Sequence, residues 1–301
     1  MLSIDIGSKF LKIIQGNGDK SIKTKKEVLF KMPEGCVLNG AVVDFEKTAK
    51  TLAAVLAEEK ISDKKAVVTI STPDVVVKEM ALPKAPSKQT EQMIANEMDE
   101  FLSGERYAID YLARTDGEQT KALVFGVDKK LADGYRDMLR AAGLVPVALD
   151  LHANAVRKLA MVADVVPNAP GQLSIVTDIG CDLINFHLFV EGELAFTRCA
   201  VIGMDVYSKE TVGELYGKAA QELKEDINFN TYVSRLGDEI QKMLQFAATG
   251  EYKSLRAKIY ITGGGARFEG LGTLLGDYLN REVQTLNTKI LVNALGAQVR
   301  V

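Results

Sequence analysis

The chain has 301 residues, of which 47% are hydrophobic, so it is long enough for one large or two ordinary domains with a packed core. Its 37 basic and 40 acidic residues nearly cancel without forming a basic block, which argues against nucleic-acid binding. No run of about 18 apolar residues predicts a membrane span, Asp5 and Lys9 interrupt the only candidate signal sequence, and three scattered cysteines suit a reducing cytosol.

The first quarter of the chain alternates strand and helix patterns. The apolar periodicity and the glycine and proline positions predict strands at 2–6 and 9–15 around a Gly7–Ser8 turn, a strand pair within 36–45, a helix over 45–60, and strands within 65–83 that are interrupted at Pro73.

The middle of the chain predicts strand, helix, strand, strand, helix and strand in that order. The first of these helices covers 86–102 with Ser87 as its N-cap, and the second ends at Gly143. We expect this region to form a compact α+β insert. The stretch 166–171, with two prolines and a glycine, is the best candidate for a linker.

After that linker the opening pattern returns. Three strands with turns at Gly180 and Gly192 are followed by a mostly helical stretch over 204–248, then by a strand that ends in three glycines and by a helix. This alternation predicts an α/β architecture.

A short motif occurs once in each half of the chain. Asp5-Ile-Gly7 and Asp178-Ile-Gly180 both end a strand and enter a tight turn. A glycine turn lets backbone approach a phosphate closely, and a carboxylate beside a phosphate requires a cation such as Mg²⁺ between them. A single copy of the motif is more simply a carboxylate that caps its own turn, whereas the pair favours a two-sided phosphate site.

Gly263, Gly264 and Gly265 stand where a strand gives way to a helix. They do not form a dinucleotide-binding fingerprint, because Phe268 replaces its third glycine, and the chain has no GxxxxGK[ST] motif. Such a corner admits a flat ring or a phosphate, or it is a simple helix start.

These residues resemble the superfamily of actin-like, sugar-kinase and chaperone ATPases, and within it the PilM family of type IV pilus assembly. The likeness covers nearly the whole chain, including IDIGSKFLKII, VTDIGCDLINFHLFVEGELAFTR and ITGGGARFEGL; the insert stretches ALPKAPSKQTEQMIANEMDEFL and YRDMLRAAGLVPVALDLHANAV are the most family-specific. The resemblance implies an actin-like ATPase fold, with two RNase H-like halves around a nucleotide cleft. The first half would comprise 1–77 and 149–168, the insert 78–148, and the second half 169–301.

The resemblance also implies a site for ATP and Mg²⁺. The cofactor-binding candidates are Asp5, Gly7, Ser8, Lys9 and Lys12 in the first motif, Asp178, Gly180, Cys181 and Asn185 in the second, Gln221 and Lys224 near the ribose, and Gly263, Gly264, Gly265 and Arg267 at the adenosine corner. Asp5 and Asp178 would hold Mg²⁺ through water.

Two departures from the family pattern bear on hydrolysis. His152 and Gln221 stand where the family usually has glutamate. A histidine is by default a core or interface residue, and without the glutamate that helps orient water we expect slow hydrolysis or none. The residues leave open whether the chain is an enzyme. His152 and His187 lack metal-ligand spacing to any cysteine, so we expect no zinc site.

The resemblance implies a cytoplasmic scaffold that docks the N-terminal peptide of a PilN-like inner-membrane protein, engages the pilus motor ATPase complex and is recruited to the membrane by its partner; self-association stays open. The insert helix offers Met93, Ile94, Met98, Phe101 and Leu102 either as groove lining or as ordinary core.

The alternatives to this scaffold function are a small-molecule kinase, for which we find no acceptor pocket or catalytic aspartate, and an FtsA-like division protein. The end of the chain, LGAQVRV, lacks the membrane helix expected of FtsA.

Overall fold

The computed structural model describes residues 1–18, 22–102, 106–163, 166, 170–203, 220–249 and 256–286. Its strands are β1 (Leu2–Ile6), β2 (Phe10–Gly18), β3 (Ile22–Lys31), β4 (Val37–Leu38), β5 (Ala41–Val42), β6 (Lys65–Ile70), β7 (Val76–Pro83), β8 (Tyr107–Asp116), β9 (Gln119–Asp128), β10 (Val145–Leu151), β11 (Gln172–Ile179), β12 (Ile184–Val190), β13 (Glu193–Ala200), β14 (Arg256–Thr262) and β15 (Val283–Thr285). Its helices are α1 (Phe45–Glu58), α2 (Ser87–Leu102), α3 (Lys129–Ala141), α4 (His152–Ala163), α5 (Ala220–Glu225), α6 (Ile227–Thr249) and α7 (Leu271–Leu279). The predicted strands and helices are confirmed where they fall on described residues, but the strand β3 was not predicted.

Two five-stranded sheets share one topology. The first has the order β3-β2-β1-β6-β10 and the second has the order β13-β12-β11-β14-β15. In each sheet the first three strands pair antiparallel with one another, and the last two are added parallel to the central strand. The strand and turn pattern that occurs twice in the sequence therefore corresponds to a structural repeat.

The central strands are buried because helices cover them. All five residues of β1 are buried, and so are seven of the eight residues of β11. Around the first sheet, α3 packs on α1, where the rings of Phe45 and Tyr135 meet edge to face at 5.6 Å. The Tyr135 hydroxyl accepts a hydrogen bond from the Val42 N–H at 3.2 Å. This contact ties α3 to the β4–β5 hairpin.

A third sheet of order β7-β9-β8 carries α2 on one side. Ile94 and Met98 of α2 are buried against this sheet, whereas Phe101 is 54% exposed. Met93 and Leu102 are half-buried and pack against the same core. Four of the five side chains offered as groove lining therefore pack in the core, as the simpler interpretation holds. The N-cap prediction was wrong by one residue: the Thr90 N–H donates to the Pro86 carbonyl, and Ser87 is the first helical residue.

How the chain divides into domains stays a prediction. Within 78–148, α3 packs into the core of the first sheet, and β10 pairs with β6 at its edge. Half of the proposed linker at 166–171, residues 167–169, lies outside the described residues. In the described part of the chain, no helix is both long and apolar enough to cross a bilayer.

Candidate functional site

The two Asp-Ile-Gly motifs adopt the same hairpin. Asp5 lies opposite Lys12 in the β1–β2 pair, and Asp178 lies opposite Asn185, also seven residues on, in the β11–β12 pair. In each turn the glycine N–H donates to the carbonyl three residues later, from Gly7 at 3.0 Å and from Gly180 at 2.9 Å. Each glycine amide therefore closes its own turn, and what the glycine contributes to a ligand is the absence of a side chain.

Lys12 joins the two hairpins electrostatically. Its Nζ lies 2.8 Å from Asp5 Oδ2. Burial alone would lower the pKa of Lys12, but the charge and hydrogen bond of Asp5, and then the charge of Asp178, raise it above its ordinary value. The lysine is therefore held as a cation beside both aspartates, where it is suited to bind a polyanion.

Asp178 has a second partner in His152. The His152 Nε2 lies 2.6 Å from Asp178 Oδ2, and both side chains are buried. Burial alone would raise the pKa of Asp178, but the hydrogen bond and electrostatic interaction with His152, followed by Lys12, lower it. Asp178 is thus a carboxylate, so the His152 N–H donates to it.

The glycine corner packs directly on Asp178. Gly263 has a φ of 89°, and a Cβ at this position would lie 2.0 Å from Asp178 Oδ1 and 2.7 Å from the Ile179 carbonyl oxygen. A Cβ on Gly265 would lie 2.3 Å from the Ile179 side chain. Gly264 precedes the 3₁₀ turn Gly265–Arg267. Three segments that are far apart in sequence therefore meet at Asp178.

Beside this cluster, segments next to the first sheet contact the β11–β12 hairpin of the second sheet. The Ser71 hydroxyl donates to Asn185 Oδ1 at 3.0 Å. Gly40 of the β4–β5 turn, with a φ of 75°, approaches the Ser71 carbonyl and the side chain of Leu183 so closely that a Cβ would overlap both. A cavity of about 240 Å³ opens between these segments, with His152 and Asn185 in its lining.

The remaining candidate cofactor-binding residues lie at the edge of the Asp178 cluster or away from it. Ser8, Lys9 and Cys181 are half-buried in the two turns, and Lys224 and Arg267 are exposed. No described contact joins Lys224 or Arg267 to the Asp178 cluster. The side chain of Gln221 lies outside the described part of the structure. Among the described residues, no group of three or more histidine, cysteine, aspartate or glutamate side chains could hold a metal ion directly.

Two further residues that were not predicted from the sequence belong to this cluster. His187 Nε2 lies 3.1 Å from His152 Nδ1, and His187 Nδ1 lies 2.9 Å from Thr197 Oγ1. The available signal was the spacing of His187 two residues after Asn185, because alternate residues of a strand share one face. Nothing in the sequence placed Thr197 beside it.

Residues 3–294 match the family described as type IV pilus assembly protein PilM. The chain belongs to the PilM family. A solved PilM–PilN type IV pilus biogenesis complex is similar to this PilM-family chain, with a TM-score of 0.83, 20% identity and coverage of 99% of this chain and 97% of that one. A search of curated proteins finds no match.

Two further solved structures share the fold of this PilM-family chain. Ethanolamine utilization protein EutJ from Carboxydothermus hydrogenoformans matches with a TM-score of 0.61 and 14% identity, over 99% of this chain and 88% of that one. MreB5 of Spiroplasma citri bound to AMPPNP matches with a TM-score of 0.55 and 11% identity, over 99% and 94%. The predicted actin-like fold and the predicted family are confirmed, and this PilM-family chain is an actin-like protein of type IV pilus assembly.

Proposed function

We propose that this PilM-family chain binds Mg²⁺ and ATP between its two Asp-Ile-Gly hairpins and acts as a scaffold in pilus assembly. The observation that carries the proposal is the meeting of Asp5, Lys12 and Asp178 at one buried cluster. Two equivalent hairpins contribute acids at the ends of their first strands, and one of them contributes the cation. This composition suits a metal ion and a phosphate chain together.

The residues present fit the proposed nucleotide. Lys12 supplies a cation for phosphate, and glycines at both turns and at the Gly263 corner leave room for a ligand to approach the backbone. The fold neighbour MreB5 of Spiroplasma citri has been solved with AMPPNP, an ATP analogue. Gly263, Gly264, Gly265 and Arg267 would border the adenosine, and Gln221 with Lys224 would approach the ribose.

The residues also fit a hydrated Mg²⁺. Mg²⁺ retains several waters and is commonly held by one or two carboxylates plus substrate phosphates. Asp5 and Asp178 would supply those carboxylates, and the absence of a larger acidic cluster among the described residues is consistent with an ion held largely through water. The ion would neutralise phosphate charge beside the two aspartates.

We propose that hydrolysis is slow. His152 stands where the family usually has glutamate, and both of its ring nitrogens already have protein partners, Asp178 and His187. A general base must have an atom within hydrogen-bond reach of the attacking water, so an imidazole engaged on both sides is poorly suited to the task.

We place the docking site for a PilN-like peptide in the groove beside the insert. A cavity of about 670 Å³ lies between the third sheet, the end of α6 and the start of β13. Its apolar lining includes Tyr111, Leu112 and Phe246, and Arg114 and Arg157 also border it. Recruitment to the inner face of the membrane, and contact with the pilus motor ATPase complex, would follow from this docking.

Calorimetric titration of Mg²⁺-ATP tests the nucleotide site. Asp5→Ala combined with Asp178→Ala should remove binding, whereas Asp137→Ala, which removes an exposed carboxylate of α3, should leave the affinity unchanged. Wild-type affinity in the double variant would contradict the site assignment. A turnover near the enzyme median of about 10 per second, with partner present, would contradict slow hydrolysis.

Two alanines on β8 allow a matched test of peptide docking. Ala113 and Ala108 are both exposed, but only Ala113 lines the groove. Ala113→Arg should abolish binding of a synthetic PilN-like N-terminal peptide and preserve nucleotide affinity, whereas Ala108→Arg should preserve both. Equal peptide affinity in the two variants would exclude this groove.

A further inference from the structure

The only two histidines of the chain form a buried hydrogen-bonded chain that ends on Asp178. Thr197 Oγ1 lies 2.9 Å from His187 Nδ1, His187 Nε2 lies 3.1 Å from His152 Nδ1, and His152 Nε2 lies 2.6 Å from Asp178 Oδ2. The two rings stack with centroids 4.9 Å apart and an angle of 16° between their planes. We call these four side chains the histidine relay.

Every polar atom of both rings has a partner in the relay. Neither imidazole can therefore rotate without breaking two hydrogen bonds in a buried site, where each lost bond leaves a group unsatisfied. Thr197, His187 and Asp178 lie on β13, β12 and β11, and His152 is the first residue of α4. The relay thus fixes the start of α4 against the second sheet.

Asp178 has an alternative partner close by. Lys12 is near enough for each charge to shift the pKa of the other. If Asp178 turned toward Lys12, it would withdraw a carboxylate from the metal. The hydrogen bond from His152 opposes this rotation, and His187 and Thr197 hold His152 in the orientation that makes the bond.

We propose that His187 and Thr197 are positioning residues of the nucleotide site, which act through His152 to hold the Asp178 carboxylate in place for Mg²⁺. The inference rests on the proposed Mg²⁺-ATP function. Burial and the neighbouring His152 lower the pKa of His187 well below its ordinary value, which supports a neutral, hydrogen-bonded imidazole at the centre of the relay. Partners behind a metal-site ligand commonly change metal affinity about 10- to 100-fold when removed.

Nucleotide affinity with and without Mg²⁺ tests the positioning role. His187→Leu should weaken binding of Mg²⁺-ATP about 10- to 100-fold, and Thr197→Val about 3- to 10-fold. His187→Gln retains a donor and an acceptor and should restore most of the affinity. Ser174→Ala on β11, whose buried hydroxyl has no partner among the described residues, is the control and should leave affinity unchanged.

The Mg²⁺ dependence separates positioning from mere structural support. In the positioning variants, ATP affinity measured in EDTA should stay within about twofold of wild type, because only the metal-dependent part is lost. Equal weakening with and without Mg²⁺ would overturn the proposal, and so would wild-type Mg²⁺-ATP affinity in His187→Leu.

Nitrogen-15 NMR of the ligand-free protein gives a readout that needs no nucleotide. With two histidines in the chain, the ring-nitrogen spectrum contains only two sets of signals. Thr197→Val should shift the signals of both rings, and Ser174→Ala should shift neither. A response confined to His187 would overturn the relay. If wild type binds no ATP while both rings respond to Thr197→Val, the proposed function fails and the relay stands.

Discussion

Replacing Gly263 by alanine tests the close packing of the glycine corner on Asp178. Gly263 has a φ of 89°, in the left-handed region, and its missing Cβ would lie 2.0 Å from Asp178 Oδ1. The left-handed conformation costs a residue with a side chain about 1–2 kcal/mol, and forcing extra atoms into a packed site costs about 1–3 kcal/mol. We therefore expect Gly263→Ala to lower the free energy of unfolding by about 2–5 kcal/mol and to displace the Asp178 carboxylate.

Gly35 provides the matched control. Its φ of 79° is nearly the same, but a Cβ there would have no atom within 4 Å. Gly35→Ala should therefore lose only the backbone contribution of about 1–2 kcal/mol and should keep its affinity for Mg²⁺-ATP. The difference between the two variants isolates the contact with Asp178 and its strand.

Urea denaturation measures the free energy of unfolding of each variant, and calorimetric titration measures its affinity for Mg²⁺-ATP. Gly263→Ala should lose both stability and nucleotide affinity. If it proves no less stable than Gly35→Ala and binds ATP as wild type does, the described packing of the corner on Asp178 is wrong.

Two further predictions concern buried polar groups of the first sheet and α4. Tyr135→Phe should lower the free energy of unfolding by about 1–3 kcal/mol, because the Val42 N–H loses its acceptor, and urea denaturation measures this. Burial raises the pKa of Tyr135 to about 12, so the wild-type advantage over Tyr135→Phe should be fully present below about pH 10 and decline as pH rises toward 12; a constant difference would contradict this. Lys158→Met should cost about 3–5 kcal/mol in the same assay, since it leaves the buried Asp150 without the ammonium at 2.5 Å, and a loss below about 1 kcal/mol would refute the pairing.

Most of the fold follows from patterns that are local in the sequence. Strands and helices follow apolar periodicity, and the repeat of Asp5-Ile-Gly7 at Asp178-Ile-Gly180 predicts two equivalent hairpins. The shared strand order of the two sheets confirms that equivalence. The error at Ser87 is one of helix boundaries, where neighbouring residues compete for the cap.

The parts of the site that could not be predicted depend on contacts across the fold. His152, His187 and Thr197 are separated by 35 and 10 residues, and no local pattern states that their side chains form a chain of hydrogen bonds. The groove beside the insert likewise combines residues from β8, β13 and α6. Hydrophobic patterning indicated that α2 has an apolar side, but only packing decides that this side faces the third sheet.

The register of the third sheet brings together the two ends of the segment that forms it, residues 76–126. Val76 at the start of β7 lies opposite Gly126 near the end of β9, and such antiparallel partners have Cα atoms about 4.5–5.5 Å apart. The two ends of the segment 76–126 therefore lie side by side next to the first sheet. A short turn joining 75 to 127 would bypass the whole sheet and keep all five strands of the first sheet continuous. The segment 76–126 could therefore be exchanged for another as one piece, provided that the surface exposed around Val156 on α4 were made polar.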